Sequence, residues 1–248
     1  MAFMFTTFSR IAFAFITLAM ISGCTTQQLA DFGRILEGAS ETPLTTAEVD
    51  AGLREALIQG ISVGSDEVSK VGGYLNNPQI RIPFPPEVVR VENTLRDIGM
   101  GSLVDQFVAT LNRGAEEAAK EAKPVFIAAI RQMTIQDAFA ILRGKEDEAT
   151  QFLRRTTTGE LTRRFSPIIS QALDKTEATK YYGDIVSTYN AIPFVQQVNP
   201  DLTGYATERA IDGLFVMIAR EERKIRKDPV ARTTEILKRV FGSPEAQG

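Results

Sequence analysis

The sequence predicts an all-α fold: a single multi-helix, bundle-like domain over residues 45–242, with one short extended Pro-rich segment near 79–86. Three observations predict it. Apolar residues recur at three- and four-residue spacing through most of that span, which puts them on one side of a helix. No alternating apolar and polar run beyond residue 84 is long enough for a sheet strand. Glycines, prolines and capping residues punctuate the pattern at helix-length intervals.

Residues 1–23 read as a signal peptide. Arg10 is the only charge before position 24, Ile11 to Ile21 form an apolar run of 11 residues, and Ser22-Gly23 are small. These are the parts of a secretory signal, and the run is shorter than the roughly 20 residues a membrane-crossing helix needs. Ile21-Ser22-Gly23-Cys24 resembles the lipobox of bacterial lipoproteins. That resemblance implies cleavage between Gly23 and Cys24, and lipidation of Cys24, the single cysteine of the chain. The membrane is then a partner through acyl chains, since two or more anchor a protein stably. Thr25, not Asp, follows the cysteine, which in such lipoproteins points to the outer membrane, facing the periplasm. Residues 24–44 read as tether.

Thr45 with Glu48 makes a capping box, and Val49, Leu53, Ala56, Leu57, Gly60, Ile61, Gly64, Val68 and Val71 follow helical spacing until Gly72-Gly73. In NPQIRIPFPPE, Ile80, Ile82 and Phe84 alternate with Arg81 and Pro83, and prolines 83, 85 and 86 exclude a central strand. A short helix near 87–98 is closed by Gly99. The longest stripe, Leu103 to Met133, keeps its phase through Pro124 and predicts one helix kinked there. Its narrow middle, GAEEAAKEA, admits a close neighbour. Further helices are predicted at 135–143, 147–156, 158–175, 179–190, 200–227 and 229–241, with Asn199-Pro200 and Asp228-Pro229 each reading as an N-cap followed by Pro at N1. Residues 243–248 read as a disordered tail.

Composition excludes several functions. Removing residues 1–23 takes away one arginine and no acid, leaving 27 basic against 31 acidic residues. That balance lacks the basic footprint of a nucleic-acid binder. Histidine is absent altogether, which rules out Ser-His-Asp and Cys-His nucleophiles and His-ligated metals. Gly60-Ile61-Ser62-Val63-Gly64 matches G-x-S-x-G, but the nucleophile elbow needs a preceding strand and a histidine. Within a helical stripe, Gly60 and Gly64 read as a helix-packing pair. Gly144-Lys145 lacks the rest of a P-loop. Asn199 to Ala210 resembles a calcium loop until position twelve, which is Ala210 in place of the bidentate Glu. No cofactor or metal is expected.

Carboxylates remain. Glu221 and Glu222 straddle the apolar face of their helix, where a buried carboxylate must find a partner or protonate. Arg226 and Arg232 are the candidate partners. The expected role is a structural clamp between the last two helices, and the rival role is a general acid or ligand site facing a cleft. Asp212 reads as solvated, and Glu116 with Lys120 as an ordinary i,i+4 pair.

The stretches NPQIRIPFP, LNRGAEEAA, AKPVFIAAIRQMTIQDAFAIL, DEATQFLR and IAREERKIRKDPVARTTEILKRVFG together resemble a bacterial family known as domain of unknown function 4197, over about residues 46–242. Gly114 stands where an alanine would be expected. The resemblance implies an exported helical protein and brings no catalytic residues. The resulting expectation is a non-enzymatic, lipid-anchored envelope protein that binds a protein or an envelope component. The alternatives are a lone-carboxylate peptidoglycan-acting enzyme and a carrier of an apolar ligand.

Overall fold

Thr45 opens the first helix as a capping box: its hydroxyl accepts from the Glu48 N–H at 3.2 Å, and the Glu48 carboxylate accepts from the Thr45 N–H at 2.9 Å. This computed structural model describes residues 44–243 and Ala246, apart from positions 176, 192, 195, 196 and 200. The signal segment, Cys24 and most of the tether lie outside the described residues. Among the described residues there are nine α-helices and no β-strand. They are α1 Thr46–Val68, α2 Val89–Asp97, α3 Gly101–Ala119, α4 Ala122–Gln132, α5 Ile135–Arg143, α6 Glu148–Asp174, α7 Glu177–Asn190, α8 Leu202–Lys227 and α9 Glu235–Gly242. Single 3-10 turns occupy Pro86–Val88 and Pro229–Ala231.

Helix α8 is the hub, packed against α1, α3 and α6. Close approach needs small residues. Gly60 and Gly64 of α1 face Ile225 and Ile218 of α8, so the G-x-S-x-G match is a packing pair inside a helix. The narrow middle of α3 meets α6, where a Cβ on Gly114 would stand 3.2 Å from the Ala172 Cβ. Phe126 and Phe215 meet edge to face at 5.8 Å in the core between α4 and α8.

Several expectations are corrected. The stripe from 103 to 133 is two helices, broken at Lys120-Glu121, not one helix kinked at Pro124. The reason is the proline itself: its ring collides with the carbonyl four residues back and offers it no N–H, so the break falls one turn upstream. Conversely, 147–156 and 158–175 are one helix, α6, that runs through Gly159 and Pro167. Its apolar side (Phe152, Leu153, Leu161, Phe165, Ile169, Leu173) is buried throughout. That packing outweighs the local helix penalties, at about 1 kcal/mol for a glycine. Asn199 does not cap α8; Asp201 does, accepting from the Gly204 N–H at 2.7 Å. After the Asp228-Pro229 turn, α9 starts only at Glu235, capped by Thr234. Val71 lies beyond the end of α1 and is exposed, and Ser243, placed in the tail, is buried.

Candidate functional site

The carboxylates singled out in the sequence sit on the last turns of α8. Glu222 is buried and accepts from the Ala149 N–H at 3.0 Å, the Thr150 N–H at 2.9 Å and the Thr150 hydroxyl at 2.7 Å. It thereby caps the N-terminus of α6, where a negative charge is favoured by the helix dipole. Arg226 grips the same carboxylate through Nε at 3.0 Å and Nη2 at 2.9 Å, and donates onward to the carbonyls of Ile141 at 2.8 Å and Leu142 at 3.4 Å. One ion pair therefore closes the end of α5 and the start of α6. Glu221 pairs instead with Lys224 at 2.7 Å and Arg220 at 3.2 Å, and Arg220 reaches Glu67 of α1. Arg232 meets neither glutamate, so the expected clamp between the last two helices is not made, and the Glu222 pair ties α8 to α5 and α6 instead. Arg232 donates to the carbonyls of Ile225 at 3.0 Å and Arg226 at 2.8 Å, at the C-terminal end of α8. Beside the Glu222–Arg226 pair, the space lined by Leu57, Ile61, Ile218 and Phe241 measures about 20 Å³, room for about one water.

An open site lies elsewhere, where the Pro-rich segment crosses α8. Residues 78–80 form a turn in which the N–H groups of Ile80 and Arg81 both point to the Asn77 carbonyl, so the extended stretch begins at Arg81, not at Ile80. Three buried polar side chains fasten this region. Asn112 of α3 accepts from the Ile82 N–H and donates to the Ile82 carbonyl, both at 2.8 Å, replacing the strand the segment lacks. Glu116, one turn on, is buried and accepts from the N–H groups of Tyr74 at 3.1 Å and Leu75 at 3.2 Å. Its expected partner Lys120 bonds Glu117. The Tyr74 hydroxyl donates to the Ala210 carbonyl at 2.6 Å, and burial with the Glu116 charge raises that phenol's pKa. Gly213 lets the pieces touch: a Cβ there would stand 2.8 Å from Tyr74 Cε1 and 3.1 Å from Ile80 Cβ. Phe84 packs on Phe107 at 4.8 Å.

This register sets what faces outward. Ile80 lies at Gly213, and the Pro83 carbonyl accepts from the Tyr205 hydroxyl at 3.3 Å. The segment thus runs antiparallel to α8. Three extended residues at about 3.3 Å each match eight helical ones at about 1.5 Å each, roughly 10 against 12 Å. Ile80, Ile82 and Phe84 are buried, while Arg81 and Pro83 are exposed. Between segment and helix lies a groove of about 370 Å³, lined by Arg81, Pro83, Tyr205, Arg209, Asp212 and Val216 among others. Arg209 lies 5.8 Å from the centre of the Tyr205 ring, and burial raises the Tyr205 pKa against the pull of that guanidinium. Asp212 is not a free solvated acid; Arg154 holds it at 2.7 Å. Arg81 and Arg209 make no ion pair among the described residues.

A family model described as "Protein of unknown function (DUF4197)" matches residues 43–242. The chain belongs to this family. The DUF4197 match begins just before the capping box and ends with α9, so it covers every helix described above, the carboxylate clamp and the groove. No curated protein and no solved structure matches the chain.

The sequence does not mark the groove residues as a site. Arg81 was visible as the outward member of an alternating run, and Tyr205 with Arg209 as an i,i+4 pair on one helix. Nothing in the sequence said that the two would face each other.

Proposed function

We propose that this chain is a non-enzymatic binding domain of the bacterial cell envelope, anchored through lipid on Cys24 to the outer membrane and facing the periplasm. Its ligand face is the groove between residues 79–86 and α8. The observation that carries this reading is the pair of unpartnered guanidiniums, Arg81 and Arg209, on a groove whose wall is pinned by buried Asn112 and Glu116. By contrast, the buried carboxylates are taken up by backbone N–H groups and an arginine, a cap-like use that turns them into the fold. The lipobox resemblance and the tether supply the anchor.

Two measurements test the two halves. Cys24→Ser should abolish the acyl mass shift and move the protein from the detergent to the aqueous phase; unchanged partitioning would remove the anchor. A photo-crosslinking side chain placed at Gln79 or Val216, at the groove, should give discrete adducts in intact cells. The same side chain at Gln171, exposed on α6, should not. Equal adducts from all three positions would refute the groove as the ligand face.

A further inference from the structure

We infer that the groove takes a carboxylate carried on an extended peptide, with Arg81 and Arg209 as the recognition residues. This rests on the groove being the ligand face. The charge around it runs against the rest of the chain. The whole sequence carries a net −3, yet Arg81 and Arg209 face the groove without counter-ions, and its one lining carboxylate, Asp212, is already neutralised by Arg154. Glu87 is a further negative neighbour, close enough to Tyr205 to raise its pKa.

Unpaired guanidiniums on opposite walls select an anion, and their fork of donors matches the two oxygens of a carboxylate. The walls select what carries it. Pro83, Val216 and the Tyr205 ring are apolar surfaces of the groove, whose wall from Ile80 to Pro83 spans roughly 10 Å, the length of about three extended residues. A small inorganic anion would leave those surfaces wet, whereas a short peptide covers them. Side-chain alternation then places one carboxylate between the two arginines, with its neighbours against proline and tyrosine. The groove does not have to form on binding, because Asn112 fixes the Ile82 backbone and Gly213 lets Tyr74 and Ile80 seat directly on α8.

The test is fluorescence polarisation of full-length protein in detergent micelles. The probes are a labelled array of pentapeptides with Glu or Asp at the centre, each paired with its Gln or Asn twin. Acidic peptides should bind more tightly than their amide twins and weaken as sodium chloride is raised. Arg81→Gln and Arg209→Gln should each lower affinity by about tenfold or more, the worth of one charge-assisted contact. Their melting temperatures should change little, because neither guanidinium is hydrogen-bonded or ion-paired in the fold and Arg209 gives up only its contact with the Tyr205 ring. Equal binding of acid and amide twins, or unchanged binding by both variants, would overturn the assignment. So would saturation by inorganic phosphate with no acidic peptide bound. Retained groove crosslinks with no acid preference would remove the carboxylate alone. Acid preference without groove crosslinks would instead remove the envelope role.

Discussion

Glu222→Gln is the sharpest test of the clamp, because five hydrogen bonds end on that one carboxylate: two from Arg226, one from Ala149 and two from Thr150. Glutamine keeps a single acceptor oxygen. If that oxygen stays with Arg226 and Ala149, the new NH2 faces the Thr150 N–H donor to donor. The Thr150 hydroxyl can rotate to accept, but its N–H is orphaned. An orphaned buried donor costs about 1–3 kcal/mol. Arg226 also loses its counter-charge, moderated by the two carbonyls it still holds. We expect about 2–3 kcal/mol in all, and about 2–4 °C of melting temperature per kcal/mol for a domain of this size gives a fall of roughly 4–12 °C. In a simple buried ion pair, replacing both partners by apolar residues is the milder change, and the sequence alone suggests that outcome here. The structure reverses it. Glu222→Leu with Arg226→Met would strand the Ala149 and Thr150 N–H groups and the Leu142 carbonyl, leaving the Ile141 carbonyl only the Gly144 N–H, so the double variant should be at least as unstable as Glu222→Gln. Thermal and urea melts of both variants decide. A Gln variant melting within about 1 °C of the parent, against the expected several degrees, or a double variant more stable than the single, would refute the clamp.

Asn112→Ala should cost about 2–4 kcal/mol, because it orphans both backbone groups of Ile82, and should loosen the groove, seen as faster amide exchange at Ile82 and Phe84. Gly213→Ala should destabilise by about 1–3 kcal/mol through overpacking, despite the better helix former, because the Cβ would meet the fixed Tyr74 ring. Gly114→Ala, with 3.2 Å to a lone methyl on Ala172, should change the melting temperature little; equal losses at the two glycines would contradict the contact geometry. Hydrogen bonds from the Thr45 backbone and hydroxyl, then the Arg239 guanidinium, hold the Glu48 carboxyl at about 2 against an ordinary 4.5. Its folded pKa is depressed, so the stability it adds is present above about pH 4.5 and is lost as pH falls toward 2. Carboxyl NMR should place its midpoint near the lower value, and Glu48→Gln should flatten the acid limb of the melting curve; a midpoint near 4.5 would contradict the cap.

What the sequence made legible is what depends on neighbours three or four residues away. The α1 stripe, its capping box and the Gly60/Gly64 pair all belong to one helix, and each is visible as spacing. Helix breaks are less so: Pro124 displaces its break a turn upstream, while Gly159 and Pro167 pass unnoticed because α6 is held by its packing. Least visible are bonds to the backbone of distant segments. Asn112 and Glu116 stand at 30 and 42 residues from the N–H groups they receive, and Arg54 of α1 closes the end of α4 at the Ile130 and Met133 carbonyls. No periodicity encodes which loop will need an acceptor. A trace remains, however. Val108, Asn112 and Glu116 are spaced four apart, so two polar residues continue one line of the apolar face of α3, and a polar group in that phase must be bonded once it is buried. Neither of these residues lines the groove. They fix the backbone that presents Arg81, so the shape of the site is set by side chains that need not touch its contents. The same logic separates Glu222 from a catalytic acid: a carboxylate sunk into backbone donors is positioned to hold helices together, and the groups free to meet a ligand are the ones the fold leaves unbonded.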